Sequence, residues 1–246
     1  MDSKTIAAIT VFAALTIALN LSPIKIPAPY APFLIYQIWE IPIVAAALLF
    51  GLRVGAAVSV INTLLLLAIF PGELPTGPFY NLAAILSMLF GIYLVHKFPL
   101  IRSNSMAISG FIAAVTTVLP IYTSFQLGFF DLTIILIFTQ LISGIIFLVT
   151  LYSYVQGKTQ WNVAPISTIT GVIFRVALMT IVNWIFLPFA PPVGFGLPTD
   201  VVLAMLPIIG VFNATLALYT IPIGYLVSQA VNSSMKMAGW IRKDEE

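Results

Sequence analysis

The apolar segment that decides the fold lies in the last third of the chain, where residues 165–188 read PISTITGVIFRVALMTIVNWIFLP. One charged residue, Arg175, interrupts a run that is long enough to cross a bilayer, since a membrane-spanning helix needs about 20 mostly apolar residues. Similar runs recur along the 246 residues, of which 61% are apolar and only 7% are charged. Soluble domains carry about 25% charged residues. The sequence therefore predicts an all-α integral membrane protein.

Prolines, glycines and charged clusters divide the chain into predicted membrane spans over residues 5–21, 38–51, 54–70, 79–98, 106–126, 132–156, 165–188 and 201–230. This pattern predicts a polytopic bundle of about eight transmembrane helices, which forms a single membrane domain over residues 1–246. Pro120 and Pro207 lie inside apolar stretches and are expected to kink or interrupt their helices. Residues 1–20 are expected to be a retained first helix rather than a signal peptide, because the segment lacks a convincing small-residue cleavage site.

The basic residues indicate the orientation, because cytoplasmic segments of membrane proteins carry an excess of Lys and Arg. With both termini in the cytoplasm, the predicted inner segments hold Lys4, Arg53, Lys97, Arg102, Lys158, Lys236, Arg242 and Lys243. The predicted outer segments hold only Lys25. The charge pattern therefore favours a multi-pass protein of the cell membrane with the N-in/C-in arrangement.

Three predicted outer segments, residues 22–37, 71–78 and 188–199, are rich in proline and glycine yet apolar. Proline fixes φ and glycine permits positive φ, so these segments are expected to be shaped loops rather than flexible tethers. Three stiff apolar loops on one face could cover a cavity between the helices. Simple interfacial turns are the alternative.

Among the polar amides within or beside the predicted spans, a notable set is Asn62, Asn81, Asn183 and Asn213. An asparagine carries two donors and an acceptor, so it can pair with the edge of a bound heterocycle. Hydrogen bonding between helices is the alternative for each of them. Tyr36, Trp39 and Tyr80 fit either a stacking platform or an interfacial aromatic belt.

Two ionisable side chains have special positions. Arg175 lies near the middle of its predicted span and needs a partner or a route to water, because a charge at the bilayer centre costs about 2.5–3.5 kcal/mol on insertion scales. A structural ion pair or snorkelling towards the inner leaflet is the alternative to a ligand contact. His96, beside Lys97 at a predicted cytoplasmic helix end, is expected to be solvated.

Several functional classes are excluded by what the sequence lacks. It has no cysteine and one histidine, so no metal site is predicted, and its net charge of +2 does not indicate a nucleic-acid partner. There is no phosphate-binding glycine-rich loop, no intramembrane series of acidic residues and no catalytic constellation. Binding is therefore predicted rather than enzymatic activity, with no cofactor. A self-sufficient secondary transporter and a membrane-embedded enzyme or assembly protein are the alternatives.

A stripe of small residues, Thr10, Ala14 and Ala18, recurs every four positions in the first predicted helix. Small residues at this spacing allow a second helix to approach closely. The stripe is therefore a candidate partner interface, with the second helix either in this chain or in another subunit.

Several segments, in order along the chain, resemble the substrate-binding S component of energy-coupling factor (ECF) vitamin transporters, particularly the riboflavin-specific type. They are residues 26–29 (IPAP) with 32–34 (PFL) and 40–42 (EIP), residues 50–55 (FGLRVG) with Asn62, Thr76-Gly77 with Asn81, Arg175 with Met179-Thr180 and Asn183-Trp184, Leu187-Pro188, and Pro207 with Phe212-Asn213.

The resemblance implies capture of a vitamin, riboflavin or a related flavin, from outside the cell. Release inward would need a transmembrane coupling subunit and two cytoplasmic ATPases as partners. Asn183 and Asn213 would hydrogen-bond the heterocycle, and the first loop would act as a lid. With these two, the predicted substrate-binding residues are Tyr36, Glu40, Asn62 and Asn81. The stripe Thr10, Ala14 and Ala18 resembles the surface with which the family docks.

Two departures from the family pattern qualify these expectations. Leu216 stands where the family usually has a lysine, which leaves the identity of the vitamin open. The family has a six-helix core, so residues 1–104 would supply helices 1–4 and residues 157–246 the last two. Residues 105–156 read as an inserted helical hairpin, whose even number of helices preserves the orientation of the last two core helices.

Overall fold

The structure is a computed structural model that describes residues 2–28, 31–69, 75–105 and 163–237 and eight positions between residues 107 and 155. This part of the chain is mostly helical. Its helices are α1 (Ser3–Leu21), α2 (Ile41–Phe50), α3 (Leu52–Ile69), α4 (Gly77–Lys97), α5 (Pro99–Ser103), α6 (Ala164–Phe186) and α7 (Thr199–Met237). Its strands are β1 (Ile26–Ala28) and β2 (Ala31–Tyr36).

Five of the described helices, α1, α3, α4, α6 and α7, are long and apolar enough to cross a membrane. They coincide with five of the predicted spans to within a few residues, apart from α7, which continues beyond residue 230. The prediction of a helical membrane protein is supported at this level. The predicted spans 106–126 and 132–156, with Pro120 and most of the proposed hairpin 105–156, lie outside the described residues. The count of about eight spans and the N-in/C-in orientation therefore stay predictions.

The segment between α1 and α2 forms a two-stranded antiparallel hairpin. Ile26 pairs with Tyr36 and Pro27 with Ile35, and a bulge separates these pairs from the pairing of Ala28 with Ala31. The sequence predicted a shaped, non-helical loop here but no strands, because proline is a poor strand former. A two-stranded sheet has only edge strands, and an edge position tolerates a residue that lacks an N–H donor.

The short helix α2 lies at the centre of the bundle, where it packs against α1, α3 and α7. Four consecutive residues, Ile43 to Ala46, are completely buried. With ten residues, α2 is shorter than a membrane span, and it joins α3 directly through Gly51. Gly51 has φ of 92°, a backbone conformation that side chains disfavour, so glycine is required at this turn.

The helix α7 continues without a break from Thr199 to Met237 through both Pro207 and Pro222. Pro207 therefore does not interrupt the helix, and a kink, the other expected outcome, stays a prediction. Proline within a membrane helix is tolerated where neighbouring helices pack against the freed backbone groups. The neighbours here are α6 and α2, which both pack along α7.

The two ends of the bundle differ in chemistry. The end away from the hairpin carries Lys4, Arg53, Lys97 and Lys236 at the ends of their helices, whereas Lys25 adjoins the hairpin. At the same end, His96 Nε2 lies 2.8 Å from the Tyr225 hydroxyl, which donates to Ser167 Oγ. His96 is exposed, as expected, but it also joins α4 to α7 and, through Tyr225, to α6.

Helices α4 and α6 approach closely at Gly91. A Cβ atom added there would lie 2.7 Å from the Thr170 carbonyl oxygen and 3.0 Å from Gly171 Cα. The Thr170 hydroxyl donates to the Gly91 carbonyl oxygen across the same contact, at 3.0 Å. Glycine is therefore needed here because the backbones of the two helices touch.

We expect Gly91→Ala to destabilise the protein by about 1–3 kcal/mol, because the added methyl group forces two backbones apart. Gly210→Ala is the matched control, since its nearest neighbour would be Val176 Cγ1 at 3.8 Å. The control should be neutral or stabilising by up to about 1 kcal/mol, as alanine is the better helix former. Thermal unfolding in detergent measures both variants, and equal stabilities would contradict this packing.

Candidate ligand-binding site

A cavity of about 650 Å³ lies at the hairpin end of the bundle, between α2, α4, α6 and α7. Small-molecule sites in proteins commonly measure about 300–1,000 Å³. The lining residues come from six elements and loops: Leu34, Ile35, Gln37, Trp39, Glu40, Gly77, Asn81, Ala84, Arg175, Met179, Asn183, Leu187, Phe195, Leu197, Met205, Ile209, Phe212, Asn213 and Leu216. The wall is mainly apolar, with amides and one ion pair as its polar groups.

All three segments predicted to cover a cavity contribute to its lining. The hairpin supplies Leu34 and Ile35, and the loop between α6 and α7 supplies Phe195 and Leu197. Gly77, at the start of α4, represents the segment 71–78. The described residues of all three segments thus adjoin one cavity, while residues 70–74 lie outside the described part of the chain.

Different contacts hold the two longer loops in place. The hydroxyls of Thr76 and Tyr80 donate to the Val193 carbonyl oxygen at 3.1 and 2.9 Å, which fixes the α6–α7 loop to α4. On the hairpin side, the Tyr36 ring lies 5.0 Å from the Phe212 ring. The Tyr219 hydroxyl donates to the Gln37 carbonyl oxygen just after the hairpin. The hairpin is thus attached to α7, and the other loop to α4.

The main polar feature of the cavity is a buried ion pair between Arg175 on α6 and Glu40 at the start of α2. The Arg175 Nη2 atom donates to Glu40 Oε1 at 2.9 Å, and Nη1 donates to Glu40 Oε2. The two residues are only 2% and 3% exposed. In this two-point geometry, two N–H groups of the planar guanidinium each donate to one carboxylate oxygen. Such bidentate pairs are among the strong hydrogen-bonded ion pairs in proteins.

The remaining contacts of Arg175 connect two further helices, α4 and α7, to the pair. Its Nε atom donates to Asn213 Oδ1 at 3.1 Å, and Nη1 lies 3.7 Å from Met88 Sδ. Four elements, α2, α4, α6 and α7, therefore meet at one guanidinium. The sequence predicted that Arg175 needs a partner but did not name Glu40, because the two residues are far apart in the chain.

The two asparagines on α6 and α7 are held by their own helices. Asn183 Nδ2 donates to the Met179 carbonyl oxygen at 2.7 Å, and Asn213 Nδ2 donates to the Ile209 carbonyl oxygen at 2.9 Å. These bonds fix both amide planes. Asn213 Oδ1 is occupied by Arg175, whereas no donor in the described part of the chain reaches Asn183 Oδ1. Asn183 therefore offers an acceptor to a ligand in the cavity.

The structure brings together four of the six predicted substrate-binding residues, Glu40, Asn81, Asn183 and Asn213. Tyr36 is not among the lining residues but packs against Phe212, which is. Asn62 lies elsewhere, where its Oδ1 accepts from Asn20 Nδ2 at 2.9 Å between α1 and α3. This is the helix-to-helix alternative that the sequence left open for each asparagine.

Apolar residues make up most of what sequence reasoning missed, among them Leu197, Met205 and Ile209. Nothing distinguishes these three in the sequence, since every span contains similar side chains. Trp39 was noted only as an aromatic, yet it is 4% exposed and lines the cavity beside Glu40. Neither a protein-family model nor a curated protein matches this sequence, so function is inferred from the cavity itself.

We expect Glu40→Leu alone to destabilise the protein by about 3–5 kcal/mol, because it leaves the Arg175 charge buried without its partner. The double variant Glu40→Leu/Arg175→Met removes both charges and should recover much of that loss. Thermal unfolding of the wild type, both single variants and the double variant gives the coupling energy. Additive losses would show that the two residues do not act as a pair.

Proposed function

We propose that this protein is the substrate-binding S component of an ECF-type vitamin importer in the cell membrane. It would bind a vitamin, with riboflavin or a related flavin as the first candidate, at the hairpin end of the bundle. The observation that carries the proposal is the cavity itself, which joins an apolar wall to fixed amides in a membrane-embedded chain. Such a wall with a few oriented polar groups is typical of small-molecule sites.

The shape and chemistry of the lining favour a flat, mostly apolar heterocycle. Trp39, Phe195 and Phe212 provide aromatic surface, and Leu216 extends the apolar wall where the family has a lysine. Asn183 Oδ1 can accept from a ring N–H, and Gln37 and Asn81 carry further amides at the same cavity. An isoalloxazine ring offers both the apolar faces and the mixed donor and acceptor edge that this arrangement suits.

Ligand entry and release would use the hairpin as a lid. The hairpin contributes to the lining and is attached to α7 through Tyr36, Phe212 and Tyr219. Breaking these contacts would release the hairpin from α7 and open the cavity. The α6–α7 loop, bound to α4 by Thr76 and Tyr80, would stay in place as a fixed wall.

Inward release would require the coupling subunit and its two ATPases as partners. Thr10, Ala14 and Ala18 are all exposed on α1, whose buried face carries Ala8, Ile9, Phe12, Ala13 and Thr16 instead. The small-residue stripe is therefore not used for packing within the described part of the chain. Its exposure supports the proposal that α1 presents this stripe to the coupling subunit.

We expect the purified protein to bind riboflavin, and Asn183→Ala to weaken binding by about 1–3 kcal/mol, or roughly 5- to 150-fold in Kd. The loss follows from removing the one fixed amide whose oxygen faces the cavity unpaired. Asn62→Ala is the matched control, a buried asparagine outside the cavity, and should leave the Kd unchanged. Titration of riboflavin fluorescence with the wild type and with each of the two variants measures the three Kd values. Equal Kd values for the two variants would contradict the placement of the ligand.

A bulky residue on the α1 stripe should separate binding from transport. We expect Ala14→Trp to retain riboflavin binding but to lose uptake into cells that contain the coupling subunit, because the helices can no longer approach. Leu15→Trp, at an exposed position on another face of α1, should retain both. Normal uptake by the Ala14 variant would argue against this docking surface.

A further inference from the structure

We propose that the cavity selects ligands without net charge, and that Glu40 is the residue that sets this selection. The inference deepens the proposed function and rests on it for the identity of the ligand. It concerns what the Arg175–Glu40 pair does besides joining helices. The selection depends on the charges at the cavity, on the contacts of the guanidinium and on what an anion would meet there.

The charges at the cavity cancel. Of the nineteen described residues that line it, only Arg175 and Glu40 are ionisable with a charge at neutral pH. Among the described residues, the basic side chain of Lys25 also lies near this end, but it is exposed and does not contribute to the lining. The described lining residues therefore carry no net charge, and most of them are apolar.

The guanidinium of Arg175 has little capacity left for an anion. A guanidinium has five N–H donors. One is directed to Asn213 Oδ1, two to the oxygens of Glu40, and a fourth points towards Met88 Sδ. In the described part of the chain, one Nη2 hydrogen stays available. That single donor can bind a neutral acceptor but cannot form the two-point contact typical of carboxylates and phosphates.

An anion in the cavity would lie close to the Glu40 carboxylate in a poorly solvated site. The anion would lose much of its hydration there, and no free cation among the described lining residues compensates its charge. Leu216, only 5% exposed, adds apolar wall and no charge. An uncharged ligand meets no such penalty. It can donate to the unused lone pairs of Glu40 and accept from the remaining Nη2 hydrogen.

The two requirements together define the ligand more closely than cavity volume does. It carries no net charge, and one edge presents a donor towards Glu40 beside an acceptor towards Arg175. Riboflavin satisfies the first requirement, and its 5′-phosphate, flavin mononucleotide, does not. This pair of compounds shares one ring system and therefore isolates the effect of charge.

The first test compares the Kd values of riboflavin and flavin mononucleotide for the full-length protein in detergent. We expect the phosphate ester to bind weaker by at least roughly 100-fold, because its charge would be desolvated without a free cation to compensate it. Glu40→Gln keeps the shape and one acceptor oxygen but frees the Arg175 charge, and should reduce the difference to about tenfold or less. Binding of both compounds to the wild type within about threefold would overturn the inference while leaving the proposed function intact.

A second variant covers the case in which Glu40→Gln fails to fold. Leu216→Lys places a free cation on the cavity wall and leaves the ion pair whole. This variant should likewise reduce the difference in Kd between riboflavin and flavin mononucleotide. The double variant Glu40→Gln/Arg175→Gln removes both charges and should keep the preference for riboflavin, because no net positive charge is created. If the ratio of the two Kd values is the same in every folded variant as in the wild type, the role of Glu40 is overturned.

A third measurement decides the question even if neither flavin binds, an outcome that would refute the flavin assignment but not the charge selection. Trp39 lines the cavity, so a full-length protein with Trp161, Trp184 and Trp240 replaced by Phe reports on this site by fluorescence. Neutral acrylamide should quench Trp39 much more strongly than iodide does. Glu40→Gln, or Leu216→Lys, should raise iodide quenching and leave acrylamide quenching unchanged. Equal iodide quenching in all folded forms would overturn the charge selection.

Discussion

The bond between Arg175 and Glu40 is the interaction on which the rest of the site depends. A charge within a span is costly, so the guanidinium must find a partner, and the partner it finds begins α2. Asn213 and Met88 complete the arrangement, which brings α2, α4, α6 and α7 to one point. The cavity lies against this point, and the pair supplies both charged side chains among its described lining residues.

Around this centre, packing between helices has to be achieved without much help from the hydrophobic effect, because lipid is as apolar as the side chains. Close packing of helix backbones and hydrogen bonds between helices take the place of the hydrophobic effect. The contact between Gly91 on α4 and Thr170 on α6 is an example. The short helix α2, buried from Pro42 to Ala46, packs in the middle of the bundle although it is too short to span a bilayer. Its position places Glu40, just before it, beside Arg175 on α6.

Much of the fold is predictable from the sequence because apolar runs bounded by proline, glycine and charge identify membrane helices directly. The hairpin over residues 26–36 is not predictable in this way, because its prolines obscure any strand pattern. The continuity of α7 through Pro207 also depends on neighbouring helices rather than on local preference. At the site, the amides on α6 and α7 stand out as costly polar groups. The pairing of Glu40 with Arg175 and the location of Asn62 depend on tertiary packing, which spacing in one sequence does not reveal.

The central claim is that the cavity beside the Arg175–Glu40 pair is the binding site of an uncharged vitamin. The most direct measurement is a structure of the protein in lipid nanodiscs at saturating riboflavin. The account predicts a flavin between the hairpin, α6 and α7, with Asn183 Oδ1 within hydrogen-bonding distance of the ring and the ion pair intact. An empty cavity, or a structure in which Asn183 and Asn213 turn to separate helix contacts with no enclosed space between them, would contradict it.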